Sequence, residues 1–147
     1  MDIKVKLGGK EYPLYCSTEA YSLLGELSGG NIEHLDELFG VKKPQGEAIG
    51  NIAAVLTILI NGEIKRRNLA IDLGIEEGNK RKLIEIEQIA GVAPPKELIA
   101  SKAAIFNAIA DALVYEIPDE VKLARREIDE DLEEIRDNEA KKAGGAG

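Results

Sequence analysis

The sequence contains one histidine and one cysteine, the side chains best suited to metal binding and nucleophilic attack. On a helix His34 would share a face with Glu37, but a zinc site needs at least three protein ligands. We therefore predict an exposed helix histidine. Cys16 precedes a predicted helix, whose dipole lowers the pKa of a thiol, yet no His or Asn constellation accompanies it. A half-buried packing residue is the interpretation that the sequence favours.

Other candidates for chemistry lack the spacing that their function requires. The acidic stretch EIDEDLEEIRDNE has the composition of a calcium loop but not its glycine turn. The glycine pairs at positions 8–9 and 29–30 do not follow the phosphate-loop pattern. There is no hydrolytic triad and no cofactor fingerprint, so we expect no enzyme, no catalytic residue, no cofactor and no metal.

Two basic triplets remain, and they would lie near each other if the connection between them folds back. They are Lys65-Arg66-Arg67 and Lys80-Arg81-Lys82. A net charge of -8 and a pI of about 4.8 disfavour a nucleic-acid binder, whose cations would have to outweigh the field of the whole protein. Contact with an acidic protein, or ordinary solubility, fits better, and Lys65, Arg66 and Arg67 are candidate partner-binding residues.

Composition predicts the fold class that must position these residues. In 147 residues, 44% are apolar and only 4% aromatic, which suits one compact domain of helices packed on helices. Together with the patterns below, this predicts a mainly α fold: a compact helical domain with a short N-terminal β-hairpin and a charged amphipathic C-terminal helix. The single cysteine requires no oxidising compartment, and the N-terminus lacks a signal-peptide pattern, so we expect a cytoplasmic protein.

The N-terminal third of the chain contains clear turn and cap signals. IKVKL alternates apolar and cationic residues, and Gly8-Gly9 then leads into KEYPLYC, which predicts a hairpin. Ser17 or Thr18 would cap a helix with Ala20, Leu23, Leu24 and Leu27 buried, and Asn31 would cap a second, shorter helix.

The apolar run from Ala48 to Gly62 is about 15 residues long, short of the roughly 18 to 20 needed to cross a bilayer. We therefore predict no membrane span and a central core helix. Gly62 either ends this helix, leaving Lys65 to Arg67 in a loop, or lies within a helix that continues to about Asn68.

The C-terminal half is predicted to be helical apart from residues 69–79, which read as a loop with one helical turn. Leu83, Ile86 and Ile89 recur at helical spacing, and a further helix follows Pro94-Pro95, with Leu98, Ile105, Ile109 and Leu113 on one face and Phe106 beside it. Composition shifts at Pro118, which divides the chain into a domain of residues 1–118 and a charged amphipathic helix with a disordered end at 119–147. The apolar stripe of that helix is Val121, Ala124, Ile128, Leu132 and Ile135.

The order of these elements is itself informative. The hairpin VKLGGKEYPLYCST, the helix EAYSLLGEL, the short helix NIEHLDELFG and the long helix NIAAVLTILINGEIKRR resemble, over about residues 1–115, the tail assembly chaperones of long-tailed bacteriophages and prophages. The resemblance implies a self-associating, mainly helical protein of the bacterial host cytoplasm. Such a protein coats the tape-measure protein while subunits of the tail tube protein are recruited, and it is not an enzyme.

Within that resemblance, we hypothesise that Val121, Ile128, Leu132 and Ile135 contact helical stretches of the tape-measure protein. Two alternatives stay open. The first is that the chain is a structural phage component, such as a head-tail connector or minor tail protein. The second is that it is a nucleic-acid-associated regulator that uses the basic triplets.

Overall fold

The computed structural model describes residues 3–40 and 42–114. This part of the chain is a mainly α domain with an N-terminal hairpin, which confirms the predicted fold class there. The predicted boundary at residues 118/119 and the predicted C-terminal helix lie outside the described residues. The elements are β1 (Ile3–Leu7), β2 (Lys10–Leu14), α1 (Thr18–Leu27), a 3₁₀ helix (Ile32–Phe39), α2 (Gln45–Asp72), α3 (Ile86–Ala90), α4 (Pro95–Ala100) and α5 (Lys102–Leu113).

The hairpin forms as the sequence predicts, because two glycines supply the turn. Gly8 and Gly9 have φ values of 59° and 82°, the left-handed geometry of the two-residue turn that matches strand twist. Leu7 and Lys10 flank the two-residue turn as a hydrogen-bonded pair, and Pro13 lies opposite Lys4, three pairs further along. Hydrogen-bonded and non-hydrogen-bonded pairs alternate from the turn, so Pro13 falls where no ladder bond is lost.

Helix α2 is the core of the domain. It contacts β2, α1, the 3₁₀ helix and α3 to α5. By length and hydropathy it would also pass as a membrane span, since one 18-residue window has a mean hydropathy of 1.3. The core helix of a soluble protein passes the same test, and 44% of this window is buried inside the domain. Its most buried residues are Ile52, Ala53, Val55, Leu56, Leu59, Ile60 and Gly62.

Helix α2 continues through Gly62, so this glycine is not a stop signal. The chain leaving β2 crosses the helix here, and the N–H of Tyr15 donates to the carbonyl of Leu59 at 3.1 Å. A Cβ at Gly62 would overlap the carbonyl oxygen of Tyr15 and would also meet the Cβ of Ala20 at 3.8 Å. Gly62 therefore provides the space in which the hairpin exit packs on the core helix.

The helix ends at a glycine further along the chain. Gly74 has a φ of 74°, its N–H donates to Ile71 at 3.1 Å, and the N–H of Ile75 donates to Ala70 at 2.8 Å. These two bonds satisfy the last carbonyls of the helix in a Schellman motif. Residues 69–72, part of the stretch predicted as a loop with one helical turn, thus form the last turn of α2. In the sequence, Gly62 and Gly74 are both candidates for the glycine that ends α2. Gly74 is the one that does so.

Three predicted helices differ in form. Over residues 80–91 only Ile86–Ala90 is helical, because the backbone of residues 80–85 bonds to Asn61 and Asn68 of α2 instead. Residues Ile32–Phe39 form a 3₁₀ helix, capped by the Asn31 side chain, which accepts from Glu33 N–H at 3.0 Å. The helix predicted after Pro94 is interrupted at Ser101, whose buried hydroxyl donates to the Glu97 carbonyl at 2.7 Å. The break lets α4 and α5 pack separately on α2.

Some predicted core positions are exposed. On α1, Ala20 and Leu24 are buried, but Leu23 and Leu27 lie at the surface because α1 contacts only α2 and the 3₁₀ helix appreciably. On α4 and α5, Leu98, Ile105 and Ile109 are buried as predicted, whereas Leu113 and Phe106 are exposed. Periodicity identified the apolar faces of these helices but not how much of each face a neighbour covers.

Candidate functional site

An extended segment, residues 80–85, lies along α2 and is held by two asparagines. The Asn61 side chain donates to the Ile84 carbonyl at 2.9 Å and accepts from its N–H at 2.8 Å. Asn68 makes the same pair of bonds with Arg81, at 2.8 and 2.9 Å. We call these four bonds the asparagine clamp. It fixes the backbone of the second basic triplet against the helix.

The spacing of the clamp follows from backbone geometry. Asn61 and Asn68 are two helical turns apart, so they share a face and are separated by about 10.5 Å along the axis. Arg81 and Ile84 are three residues apart in an extended chain, which spans about 10 Å. The two lengths agree, so the side-chain amides of both asparagines reach the same segment. This segment runs antiparallel to α2. The seven-residue spacing of the asparagines was a usable signal that the sequence analysis missed.

Between this segment, β2 and α2 lies a cavity of about 210 Å³, which we call the clamp cavity. Its apolar lining comes from Tyr12, Ile60, Ile64 and Ile84. Cationic side chains of both basic triplets line it as well, so the connection does fold back. The cationic lining residues are Lys10, Arg67, Arg81 and Lys82, against the two carboxylates Glu11 and Glu63.

The first triplet lies on α2 and not in a loop, and two of its members form ion pairs within the domain. Lys65 pairs with Glu19 of α1. Arg66 bonds to Glu63 at 2.7 Å and to Glu76 at 3.1 Å. Hydrogen bonding to Glu63 is the main cause that raises the pKa of Arg66 further above its ordinary value. These charges tie α2 to its neighbours, and only Arg67 lines the clamp cavity.

The second triplet divides in the same way. Lys80 pairs with Asp72 at 2.9 Å, an exposed ion pair of the kind that adds little stability. Arg81 and Lys82 line the clamp cavity. Within residues 3–40 and 42–114, neither of them, nor Arg67, takes part in an ion pair.

A separate apolar surface lies at the C-terminal end of α2, and we call it the α2 tip. It consists of Leu69, Leu73 and Ile75, which are 59%, 64% and 74% exposed. Leu69 and Leu73 are one helical turn apart, and in a Schellman motif the residue after the glycine, here Ile75, commonly packs toward the helix position that Leu69 occupies. Large aliphatic side chains this exposed within seven residues are typical of a surface that meets another protein.

The residues first considered for chemistry occupy structural positions. His34 is exposed, with Nδ1 3.2 Å from a Glu37 carboxylate oxygen. Among the described residues no cluster of three or more His, Cys, Asp or Glu is arranged to hold a metal ion. Cys16 is 6% exposed, more buried than predicted, and desolvation raises the pKa of its thiol.

The raised pKa and burial of Cys16 predict slow reaction with alkylating agents, which attack through the thiolate. We expect iodoacetamide at pH 8 to modify the native protein at least about tenfold more slowly than the protein in urea. Mass spectrometry over time measures both rates. Equal rates would mean that the thiol is neither buried nor protonated in the native state.

The predicted partner-binding residues Val121, Ile128, Leu132 and Ile135 lie outside the described residues. Comparisons with protein-family models, with curated proteins and with solved structures found no match to this chain.

Proposed function

We propose that the protein is a tail assembly chaperone of a long-tailed phage or prophage. In this proposal it acts in the bacterial host cytoplasm, keeps the tape-measure protein soluble and helps to recruit tail tube subunits. It makes and breaks no covalent bond, and it self-associates, as the resemblance implies. The order of elements supports the proposal, since a hairpin, a helix, a short helix and a long core helix follow one another as in the pattern that carries the resemblance.

The α2 tip is the observation that carries the proposal. A chaperone for an apolar helical client must offer uncovered apolar surface, which stabilises a complex by about 25 cal/mol per Å² buried. Leu69, Leu73 and Ile75 offer such a surface and contribute little to the core. The net charge of -8 keeps a protein with this much exposed apolar surface from associating nonspecifically.

Co-expression with the tape-measure protein tests the proposal. The soluble fraction of the client should rise when this chain is present. In the variant L69S/L73S we expect at least about thirtyfold weaker binding, because two buried leucines together contribute about 2 kcal/mol or more. Pull-down and titration of a soluble tape-measure segment measure the effect.

A matched control is L23S/L27S on α1, which removes two leucines of the same i,i+4 spacing that are 40% and 37% exposed. It should bind like wild type.

A third variant, I128S/L132S, tests the predicted contribution of the C-terminal stripe. A client that is equally insoluble with and without the chain contradicts the chaperone function, and finding the chain in purified phage particles would favour a structural component instead.

A further inference from the structure

The six residues of the two basic triplets divide into two groups that the sequence does not distinguish. Lys65, Arg66 and Lys80 are neutralised by carboxylates of the same domain. Arg67, Arg81 and Lys82 form no ion pair within residues 3–40 and 42–114, yet they line one cavity. Cations gathered in this way repel one another, and an incoming anion would relieve that repulsion.

The lining of the clamp cavity is both apolar and, with four cations against two carboxylates, net cationic. Ile60, Ile64 and Ile84 provide aliphatic surface beside the cations. Its volume of about 210 Å³ is below the roughly 300–1,000 Å³ of pockets that hold whole small-molecule ligands. One or two side chains of a bound peptide fit this size better than a cofactor does.

We propose that the clamp cavity binds an acidic peptide segment of a protein partner, with one aliphatic side chain inside the cavity and neighbouring carboxylates on Arg67, Arg81 and Lys82. Guanidinium groups bind carboxylates through paired, charge-assisted hydrogen bonds, which favours Arg67 and Arg81 as the main contacts. The aliphatic side chain would lie against Ile60, Ile64 and Ile84.

The asparagine clamp prepares this site before binding. Asn68 links two of the proposed contact residues. It follows Arg67 directly on α2, and it holds the backbone of Arg81 through two hydrogen bonds. Two of the three cations are therefore carried by backbone that is already fixed. Such preorganisation lowers the ordering cost of binding.

A peptide fits the cavity better than a nucleic acid does. Base stacking needs an accessible aromatic face, but the ammonium of Lys10 lies 5.5 Å from the ring centroid of Tyr12, the aromatic side chain lining the cavity. A polyanion would also meet the net charge of -8, whereas a few carboxylates interact mainly with the nearby cations because salt screens charges beyond about 10 Å.

This inference goes beyond the proposed function, because it assigns a second site that shares no residue with the α2 tip. It can be tested without the tape-measure protein. The probe is a fluorescein-labelled ten-residue peptide composed of Glu, Leu and Ile, and anisotropy measures its binding to the full chain at fixed ionic strength.

Two triple variants with the same change in net charge form the test. R67Q/R81Q/K82Q should weaken peptide binding at least about tenfold, since each lost contact is a charge-assisted hydrogen bond. K43Q/K65Q/K80Q should change it less than about twofold, because these three cations are already paired with carboxylates outside the cavity. If both variants weaken binding equally, the effect is general electrostatics and the proposed site is wrong.

Further measurements keep the outcome decisive. Circular dichroism checks the fold of each variant, and K82Q alone, at an exposed position, serves if the triple variant unfolds. Methyl NMR signals of Ile60 and Ile64 should shift on adding the peptide. No peptide binding by wild type, unchanged affinity of a peptide with Ser in place of Leu and Ile, or tighter binding of a DNA oligonucleotide through the same cations would each overturn the proposal.

Discussion

Replacing Gly62 with alanine is expected to lower the free energy of unfolding by at least about 3 kcal/mol, at or beyond the upper end of ordinary overpacking. The new Cβ would overlap the Tyr15 carbonyl oxygen, and neither backbone segment can move easily. The Tyr15 N–H is bonded to Leu59 on the same helix, and Gly62 lies ten residues before the helix end. Relief of the overlap therefore requires the hairpin exit to separate from α2.

Urea denaturation followed by circular dichroism measures this effect, and Gly50→Ala is its matched control. Gly50 lies on the same helix, but a Cβ there meets nothing within 4 Å. In open space the higher helix propensity of alanine should make G50A more stable than wild type by about 0.5–1 kcal/mol. Similar stability of G62A and G50A would contradict the packing of Tyr15 on α2.

Removing the asparagine clamp is expected to have an effect of similar size. The double variant N61A/N68A loses four hydrogen bonds, each contributing about 0.5–1.5 kcal/mol, so the free energy of unfolding should fall by about 2–6 kcal/mol. The partly buried Ile84 would also leave its N–H and carbonyl without their partners. We expect residues 80–85 to separate from α2 before the rest of the domain unfolds.

Hydrogen exchange of the Arg81 and Ile84 amides reports this local opening, and it should become at least about tenfold faster in the double variant. The control is N51A, which removes one hydrogen bond from Asn51 to the Leu38 carbonyl, elsewhere on α2. It should cost less than half as much and leave exchange at Arg81 unchanged. Unchanged exchange in N61A/N68A would show that other contacts hold the segment.

Several features of the fold could be predicted because their causes are local in the sequence. Alternation in IKVKL and two adjacent glycines define the hairpin, since both the strand period and the left-handed turn depend on neighbouring residues. The apolar run of α2 predicts a core helix for a similar reason: a helix apolar nearly all round must be covered by other elements. Asn31 caps its helix as predicted, and Ser17 is the cap of α1 among the two predicted candidates, Ser17 and Thr18.

The candidate sites were less predictable. The sequence shows that both triplets are basic. It predicts that they lie near each other only on the condition that the connection between them folds back. The division into paired and unpaired cations depends on Glu19, which α1 brings to α2 by packing, and on Glu76 and Asp72, which meet their cations because the chain turns back after Gly74. The exposure of Leu69, Leu73 and Ile75 depends likewise on the absence of a covering element at that end of α2 in the described part of the chain.

Composition and pattern thus established a mainly α chain with an N-terminal hairpin and one central apolar helix, since hydrophobic period, turn glycines and caps act over a few residues. Only the tertiary structure shows the roles of Gly62, Asn61 and Asn68. Each has a partner 13 to 47 residues away in the sequence. A glycine that admits a crossing chain looks in sequence like one that ends a helix, and the two are distinguished only by the atoms that pack against it.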